Sequence, residues 1–513
     1  MQITAPKKVV NAWAMYDWSN SVYNLVITTT FFPIFFMAIS YIVSASSKDE
    51  VHKMVMNFTA GKVEYANVKS SLDSASTILQ GKVTKGQLLS FYNNRLASGV
   101  DFKADNSGIK LANYTELKML FNNIETKINN DDSNGLIPFF GRQVKNTAVY
   151  NYALAIAYLL VIFMFPVLSA VADNKGNKKT FMKLFCYVGA TACACFYFLN
   201  KDRINLALIL VIIAAIGFYG SQLFYNAYLP EIAAEKDRDR ISAKGYIFGY
   251  IGSVLMQLIG FGLVMYNKGY IGVTFLLVGL WWAGFAQIPF KYLPNNNIGT
   301  KGNLGSLFKT GMAELKKVWQ YIYSKPVMKL FLAAFFFYIS GVLTVMMAAT
   351  NFGKDVLHLE DSQLITTVVV IQLVAVLGAY CMSKLSAKIG NFNVLIITVA
   401  IWIAICIFAY LMQESSMQFY ILATCVGFVM GGIQSMSRST YSKLIPQTTD
   451  NTAFFSFYDI TEKLAMVIGL FSFGYIDDFT HNMRNSILLL VVFFIIGLLL
   501  LFVAKTKSKQ ILA

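Results

Sequence analysis

Ionisable side chains stand inside long apolar stretches of this sequence, where a charge is costly to bury. Asp17 lies in the first such stretch, Arg438 lies in a later one, and Asp459, Glu462 and Lys463 share a third near the C-terminus. A charged group at bilayer depth costs at least ~2.5 kcal/mol, so residues of this kind face a bundle interior or a wet cavity and mark solute pathways or proton relays. We therefore treat these five residues as candidates for coupling or gating.

Neutral polar residues extend the same helical faces. On an α-helix, an arc of about 100° contains Asp17 together with Asn20, Ser21, Asn24 and Thr28. Such a stripe either lines a cavity or joins two helices through small polar side chains. Gln434 precedes Arg438 by one helical turn, and Arg438 either faces the pathway or snorkels to the membrane surface.

Two further groups of residues allow a structural and a functional interpretation. Gln222, Tyr225 and Asn226 lie one turn apart in an apolar stretch, although tyrosines near span ends are often interface anchors. Asp459 and Lys463 stand at i and i+4, which suits either an internal ion pair or a gate. We predict that the substrate path is lined by Asp17, Asn20, Asn24, Gln222, Tyr225, Asn226 and Gln434.

Other classes of function find no support in the sequence. The three histidines are His52, His358 and His481, all far apart, and the six cysteines lie inside apolar runs without metal-ligand spacing. No phosphate-binding loop is present. We predict no catalytic residue, no metal and no cofactor, and the chain is not expected to be an enzyme. The net charge of +16 is spread over many loops, which favours membrane orientation over nucleic-acid binding.

The elements that must position these residues are membrane helices. Of the 513 residues, 56% are hydrophobic and 14% are charged. Stretches of about 20 apolar residues, each long enough to cross a bilayer, recur along the chain. The fold class predicted is an all-α polytopic membrane protein. Twelve spans are expected at residues 12–42, 148–171, 180–199, 204–228, 242–266, 271–292, 327–350, 363–385, 393–412, 416–442, 453–475 and 485–504.

An even number of spans places both termini on one side of the membrane. Lysine and arginine are concentrated in the loops of that side, and the positive-inside rule makes it cytoplasmic. The predicted organisation is a first transmembrane helix at 1–43, an extracytoplasmic polar insertion at 44–147, helices 2–6 at 148–293, a cytoplasmic linker with an amphipathic helix at 294–326, a C-terminal six-helix half at 327–504 and a cytoplasmic tail at 505–513.

Two landmarks repeat at nearly the same offset. Gly176 and Gly390 are 214 positions apart, and Pro230 and Pro446 are 216 apart. Each pair occupies the corresponding loop of a six-span half, which predicts a duplicated arrangement with parallel halves. Solute sites in such transporters lie near the midplane, between the halves.

A loop motif and five sequence blocks resemble a known family. ADNKGNKK at 172–179 is similar to the loop motif of the major facilitator superfamily, and Asp173 in it could latch the halves together. The second copy has Ala387 at that place, so we expect a charge-based latch from the first copy only. The blocks WAMYDWSNSVYNLVITT, FYNAYLPEIA, ISAKGYIFGYIGS, GGIQSMSRSTYSKLIP and FFSFYDITEK resemble the vacuole-effluxer-like family of major facilitator permeases, which includes the autophagy-related amino-acid exporter of fungal vacuoles.

The resemblance implies a secondary transporter that works by alternating access on small polar solutes, with amino acids as the first expectation. We expect coupling or gating by Asp17, Asp173, Arg438, Asp459, Glu462 and Lys463. Proton coupling and uniport both stay open, as does a non-transporting receptor or scaffold of the same fold. The expected partners are a small-molecule substrate, protons and membrane lipids but no nucleic acid. We expect a monomer in a bacterial plasma membrane.

Overall fold

The computed structural model describes residues 3–44, 136–139, 142–175, 177–295, 304–355, 361–412, 416–448, 450–480 and 483–512. Most of the polar insertion predicted at 44–147 therefore lies outside the described residues, as do Gly176 and residues 296–303 of the predicted linker.

Helices account for nearly all of the described chain, and all twelve predicted spans are helical. The first span comprises α1 (Lys7–Val22), a π-helical segment (Tyr23–Phe31) and α2 (Phe32–Ser44). The helices that follow are α3 (Asn146–Lys175), α4 (Lys178–Cys195), α5 (Ile204–Ala227), α6 (Leu229–Ile232), α7 (Arg238–Tyr266), α8 (Ile271–Phe285), α9 (Gln287–Tyr292), α10 (Leu304–Ser324), α11 (Pro326–Asp355), α12 (Asp361–Ile389), α13 (Asn391–Leu411), α14 (Ser416–Leu444), α15 (Asn451–Thr480) and α16 (Met483–Leu512), with single 3₁₀ turns at Phe196–Phe198, Lys201–Arg203, Glu235–Asp237 and Lys268–Tyr270.

Eleven helical segments of the described chain are long and apolar enough to cross a membrane. The remaining predicted span, 453–475, lies in α15, where Asp459, Glu462 and Lys463 fall within five residues and lower its hydropathy. A helix this polar crosses a bilayer only where its charges face protein or water. Its place in the helix order and its contacts, described below, identify it as the eleventh of twelve spans, and the predicted polytopic fold is confirmed.

The chain divides into two compact units, of which the first comprises residues 1–32, 153–198 and 207–513. The second comprises residues 33–152 and 199–206. Within the second unit, strands β1 (Leu136–Phe139) and β2 (Arg142–Lys145) pair antiparallel. Also within it, the Nδ2 of Asn146 donates a hydrogen bond to Ser40 Oγ at 2.9 Å. All the side chains predicted to have a functional role belong to the first unit.

The first span departs from the regular α-helix that its sequence predicts. From Tyr23 to Phe31 the backbone is π-helical, and the hydroxyl of Thr30 donates to the carbonyl of Leu25, five residues earlier, at 3.0 Å. Because a π-helix has more residues per turn than an α-helix, side chains beyond Tyr23 point in other directions than the 100° rule predicts. The 100° rule therefore applies to Asp17 and Asn20 in α1 but does not fix the direction of Asn24 in the π-helical segment.

Glycines let α12 and α14 approach each other closely. A methyl group at Gly427 would lie 2.5 Å from the carbonyl oxygen of Ile371, and one at Gly431 would collide with the carbonyl group of Ala375. Small residues at helix crossings allow backbone contact in membrane proteins, where packing rather than water exclusion holds helices together. These two helices therefore form a tight pair within the C-terminal half.

We expect Gly431→Ala to destabilise the protein by about 1–3 kcal/mol, because the added carbon overpacks a closed helix crossing. Tryptophan fluorescence during thermal unfolding in detergent measures the change. Gly284→Ala is the matched control, since the space around Gly284 is open and the substitution is expected to be neutral or slightly stabilising. Equal melting temperatures for both variants would contradict the tight crossing.

Candidate functional site

An ion pair between the two halves lies at the centre of the site. Arg438 on α14 approaches Asp17 on α1, with both Nη atoms 3.3 Å from the Oδ2 of the carboxylate. Asp17 is 3% exposed and Arg438 is 2% exposed, so neither charge is in contact with bulk water. The hydroxyl of Tyr225 on α5 donates to the same Oδ2 at 2.6 Å. Of the two alternatives for Arg438, snorkelling does not fit the structure, because the guanidinium points into the protein.

Every nitrogen of the Arg438 guanidinium donates a hydrogen bond within the protein. Nε donates to the hydroxyl of Ser242 at 3.0 Å, and Nη2 donates to the carbonyl of Ser242 at 2.9 Å. Nη1 reaches Asn226 Oδ1 at 3.4 Å. The guanidinium also lies 4.9 Å from the ring centre of Trp13 and 4.3 Å from that of Tyr246. A delocalised cation tolerates burial when its donors are used and aromatic faces surround it.

A second polar contact between the halves joins α5 to α15. Asn226 Nδ2 donates to Asp459 Oδ1 at 3.3 Å, while the buried Oδ2 of Asp459 accepts no hydrogen bond from any described residue. Lys463 forms its ion pair with the adjacent Glu462 at 2.5 Å, not with Asp459 as the i, i+4 spacing suggests. Its ammonium also lies 4.3 Å from the ring centre of Tyr219.

These groups surround a cavity of about 120 Å³ in the first unit. Asn20 is the predicted path residue that faces elsewhere, since it is fully buried outside the cavity and its amide has no partner among the described residues. Tyr225 also lies outside the cavity lining but reaches Asp17. The predicted residues that do line the cavity are Asp17, Asn24, Gln222, Asn226, Gln434, Arg438, Asp459, Glu462 and Lys463.

Several lining residues were not predicted from the sequence, Tyr246 and Tyr250 among them. Ser21 lies one turn after Asp17 in the predicted polar arc and lines the cavity, although it was not counted among the path residues. Tyr246 and Tyr250 stand at i and i+4 on α7, and Tyr250 donates to Gln434 Oε1 at 2.7 Å. Their shared helical face within an otherwise apolar stretch is a signal that could have identified both tyrosines.

Asp173 connects the halves where α3 ends. Its Oδ2 accepts a hydrogen bond from the backbone N–H of Ala453 in the first turn of α15 at 2.9 Å, and its Oδ1 lies 3.2 Å from the ammonium of Lys178. Lys178 also pairs with Glu231 at 2.5 Å, and Asn451 Nδ2 donates to Glu231 at 3.2 Å. Burial raises the pKa of the Asp173 carboxyl above its ordinary range, and the charge of Lys178 opposes that shift.

The second loop copy supplies neutral donors to a charged contact, and the expectation that only the first copy forms a charge-based latch stays a prediction. Asp239, at the start of α7, accepts hydrogen bonds from Ser386 and from Asn391, each at 2.8 Å, and from Lys443 at 2.7 Å. The loop copy has Ala387 in place of an acid, but here the acid stands on the opposite half and the loop supplies donors. A motif comparison within one loop could not detect this exchange.

The helix order is that of the major facilitator transporters. The human organic anion transporter MFSD10 has a similar structure, with a TM-score of 0.63 over 96% of this chain and 99% of that one at 11% identity. The transporter FucP in its outward conformation gives a TM-score of 0.55 over 71% and 91% of the two chains at 13% identity. At these identities the likeness concerns the fold alone.

The sequence matches the family model described as "Vacuole effluxer Atg22 like" over residues 5–511, and the chain belongs to this family. It is 30% identical to an uncharacterized MFS-type transporter of Bacillus subtilis over 72% of this chain and 87% of that protein. It is 26% identical to autophagy-related protein 22 of Kluyveromyces lactis over 72% and 82% of the two chains. The predicted family and the prediction that the chain is a membrane transporter and not an enzyme are confirmed.

Removing one member of the buried pair is expected to be costly. Arg438→Met leaves Asp17 without its cation and should destabilise the fold by about 3–5 kcal/mol, whereas adding Asp17→Leu should recover much of this loss. Thermal unfolding of the single and double variants in one detergent measures the coupling. Arg240→Met is the control, because Arg240 is 76% exposed and its surface pair contributes about 0–1 kcal/mol. A double variant no more stable than Arg438→Met would contradict this account.

Proposed function

We propose that the protein is a secondary active transporter that moves small polar solutes, amino acids first among them, by proton-coupled alternating access. The observation that supports this most directly is the polar cavity lined by both halves, with the Asp17–Arg438 pair between them. A core with a purely structural role would be packed without a cavity at the place where these charged helices meet. In parallel-repeat transporters, the solute site lies at that position.

The conformation supports an alternating-access cycle. The contacts of Asp173 with α15 and of Asp239 with the loop between α12 and α13 close one end of the bundle. A solute in the cavity can leave toward that end only if these contacts break. With both termini in the cytoplasm, as the lysine and arginine distribution favours, this is the cytoplasmic gate in its closed state.

Coupling to protons is assigned to Asp17. Its carboxylate is the anionic partner of a cation on the other half, so protonating it removes the main attraction between α1 and α14 at this depth. A proton bound to Asp17 would therefore favour separation of the halves, which links proton movement to access. Uniport remains the rival, and it predicts the same cavity with transport that is independent of a pH gradient.

The remaining assignments concern location and lipids. We place the protein in a bacterial plasma membrane as a monomer, in line with the bacterial relative. On α10, Trp319 and Tyr323 are exposed, and Lys316 and Lys317 lie beside them. Aromatic and basic side chains on one short helix suit the headgroup region of a bilayer. This helix supports the proposed contact with membrane lipids.

We expect Asp17→Asn to abolish the response of transport to pH while preserving insertion, since asparagine keeps an acceptor oxygen but cannot bind and release a proton. Uptake of radiolabelled amino acids into proteoliposomes, with and without an imposed pH gradient, measures this. Glu235→Gln is the control, because Glu235 is an exposed carboxylate in the 3₁₀ turn that precedes α7. Gradient-driven uptake by Asp17→Asn at the wild-type rate would remove Asp17 from the coupling step.

Asp173→Asn and Asp239→Asn should each weaken the closed end without unfolding the protein. A cysteine at Ser435, which is buried between α7 and α14, should then react several-fold faster with a maleimide in a background where exposed Cys381 and Cys425 are serine. Asp237→Asn is the matched control, because among the described residues its carboxylate is hydrogen-bonded to Thr4 and Arg240 of its own half. Unchanged labelling in Asp239→Asn would leave Asp173 as the sole latch.

A further inference from the structure

Two buried acceptor atoms in the cavity have no donor. The Oδ2 of Asp459 and the Oε1 of Gln222 accept no hydrogen bond from any described residue, and both side chains line the cavity. Asp459 is 3% exposed. Buried polar atoms in folded proteins are nearly always paired, and an exception requires a physical explanation, such as a ligand that completes the pairing.

The two acceptors belong to opposite halves and lie close together. Gln222 precedes Asn226 by one turn on α5, and side chains at i and i+4 are neighbours on a helix surface. Asn226 in turn donates to the other carboxylate oxygen of Asp459, on α15. A ligand between Gln222 and Asp459 would therefore touch the N-terminal half and the C-terminal half at once.

The cations of the cavity are already engaged. Arg438 donates from all three nitrogens to protein acceptors, and Lys463 is paired with Glu462. Among the described residues that line the cavity, these are the two cations, so neither offers a carboxylate ligand an uncommitted positive charge. The unpaired acceptor atoms of Asp459 and Gln222 are instead complementary to a ligand that donates hydrogen bonds.

The cavity walls favour a positively charged donor. The side chains of Phe165, Phe218 and Tyr458 line the same space as Asp459, beside Tyr219 and Tyr246, whose rings already face Lys463 and Arg438. Aromatic faces attract cations, most strongly where water is excluded. An ammonium group combines three donors with a positive charge, and it therefore matches both the unpaired acceptors and the aromatic walls.

We propose that Asp459 and Gln222 form an amine subsite, in which they accept hydrogen bonds from the protonated primary amine of the transported solute. This proposal rests on the proposed transport function and specifies its substrate class. Recognition runs through the amine, so a solute that lacks a carboxylate is also accepted in this conformation. The carboxylate of Asp459 compensates the positive charge of the amine, and the side-chain oxygen of Gln222 orients the amine by accepting a second hydrogen bond.

The test is a binding series on the purified full chain, with L-alanine, L-alaninamide and N-acetyl-L-alanine as probes and thermal stabilisation as the readout. L-Alanine and L-alaninamide are expected to stabilise the wild type, whereas N-acetyl-L-alanine, which has no ammonium group, is not. Asp459→Asn should weaken alaninamide binding at least about tenfold, which corresponds to the loss of one charge-assisted hydrogen bond. Gln222→Leu should weaken it several-fold.

Two variants act as matched controls because they change the same residue types outside the cavity. Asp237→Asn and Gln287→Leu are expected to keep wild-type affinity for alaninamide, and Asp459→Glu should restore part of the binding lost in Asp459→Asn. Binding of N-acetyl-L-alanine as tight as that of alaninamide would overturn the amine subsite. The same conclusion follows from wild-type affinity in Asp459→Asn, or from no stabilisation by either amine at any soluble concentration.

Uptake assays separate this proposal from the proposed function. If alaninamide binds in the predicted pattern but no solute crosses proteoliposomes, the subsite stands and transport fails. If the wild type transports amino acids but binding is indifferent to the amine and to Asp459, transport stands and the subsite is overturned.

Discussion

The buried pair between Asp17 and Arg438 is the interaction on which the arrangement of the two halves depends. Each member of the pair compensates the buried charge of the other. From the N-terminal half, Tyr225 donates a hydrogen bond to Asp17, and Ser242 accepts one from Arg438. A pair of this kind adds little net stability compared with apolar residues of the same size, but separating it without replacement is costly. The halves can therefore move apart at this depth only if a proton, water or a solute takes over one of the partners.

The interface between the halves is electrically asymmetric. Three carboxylates of the N-terminal half, those of Asp17, Asp173 and Asp239, accept hydrogen bonds from donors of the C-terminal half. In the first contact the acid, Asp173, stands in the loop copy, whereas in the second the acid, Asp239, stands at the start of α7 and the loop copy supplies donors. In both contacts the acid belongs to the N-terminal half and its donors belong to the C-terminal half, so loss of carboxylate charge weakens both.

The sequence was sufficient to predict the twelve helices, the duplication and nine of the side chains that line the cavity. The predictions that failed did so for physical reasons specific to each residue. Asn20 lies at the edge of the polar arc on α1, and the cavity face is centred closer to Ser21, so a wide arc could not separate them. The contacts of Asp239 depend on three residues more than a hundred positions away along the chain. Periodicity describes the face of one helix, but it does not identify the helix opposite.

The polarity of α15 follows from its position. Its N-terminal turn receives Asp173, its middle supplies Asp459 to the cavity, and Lys463 lies over the ring of Tyr219 on the other half. Asp459, Glu462 and Lys463 therefore all face the cavity, which is the condition under which a membrane helix tolerates ionisable groups. The helix that hydropathy alone would reject is thus the one that contributes both to the contact with Asp173 and to the cavity between the halves.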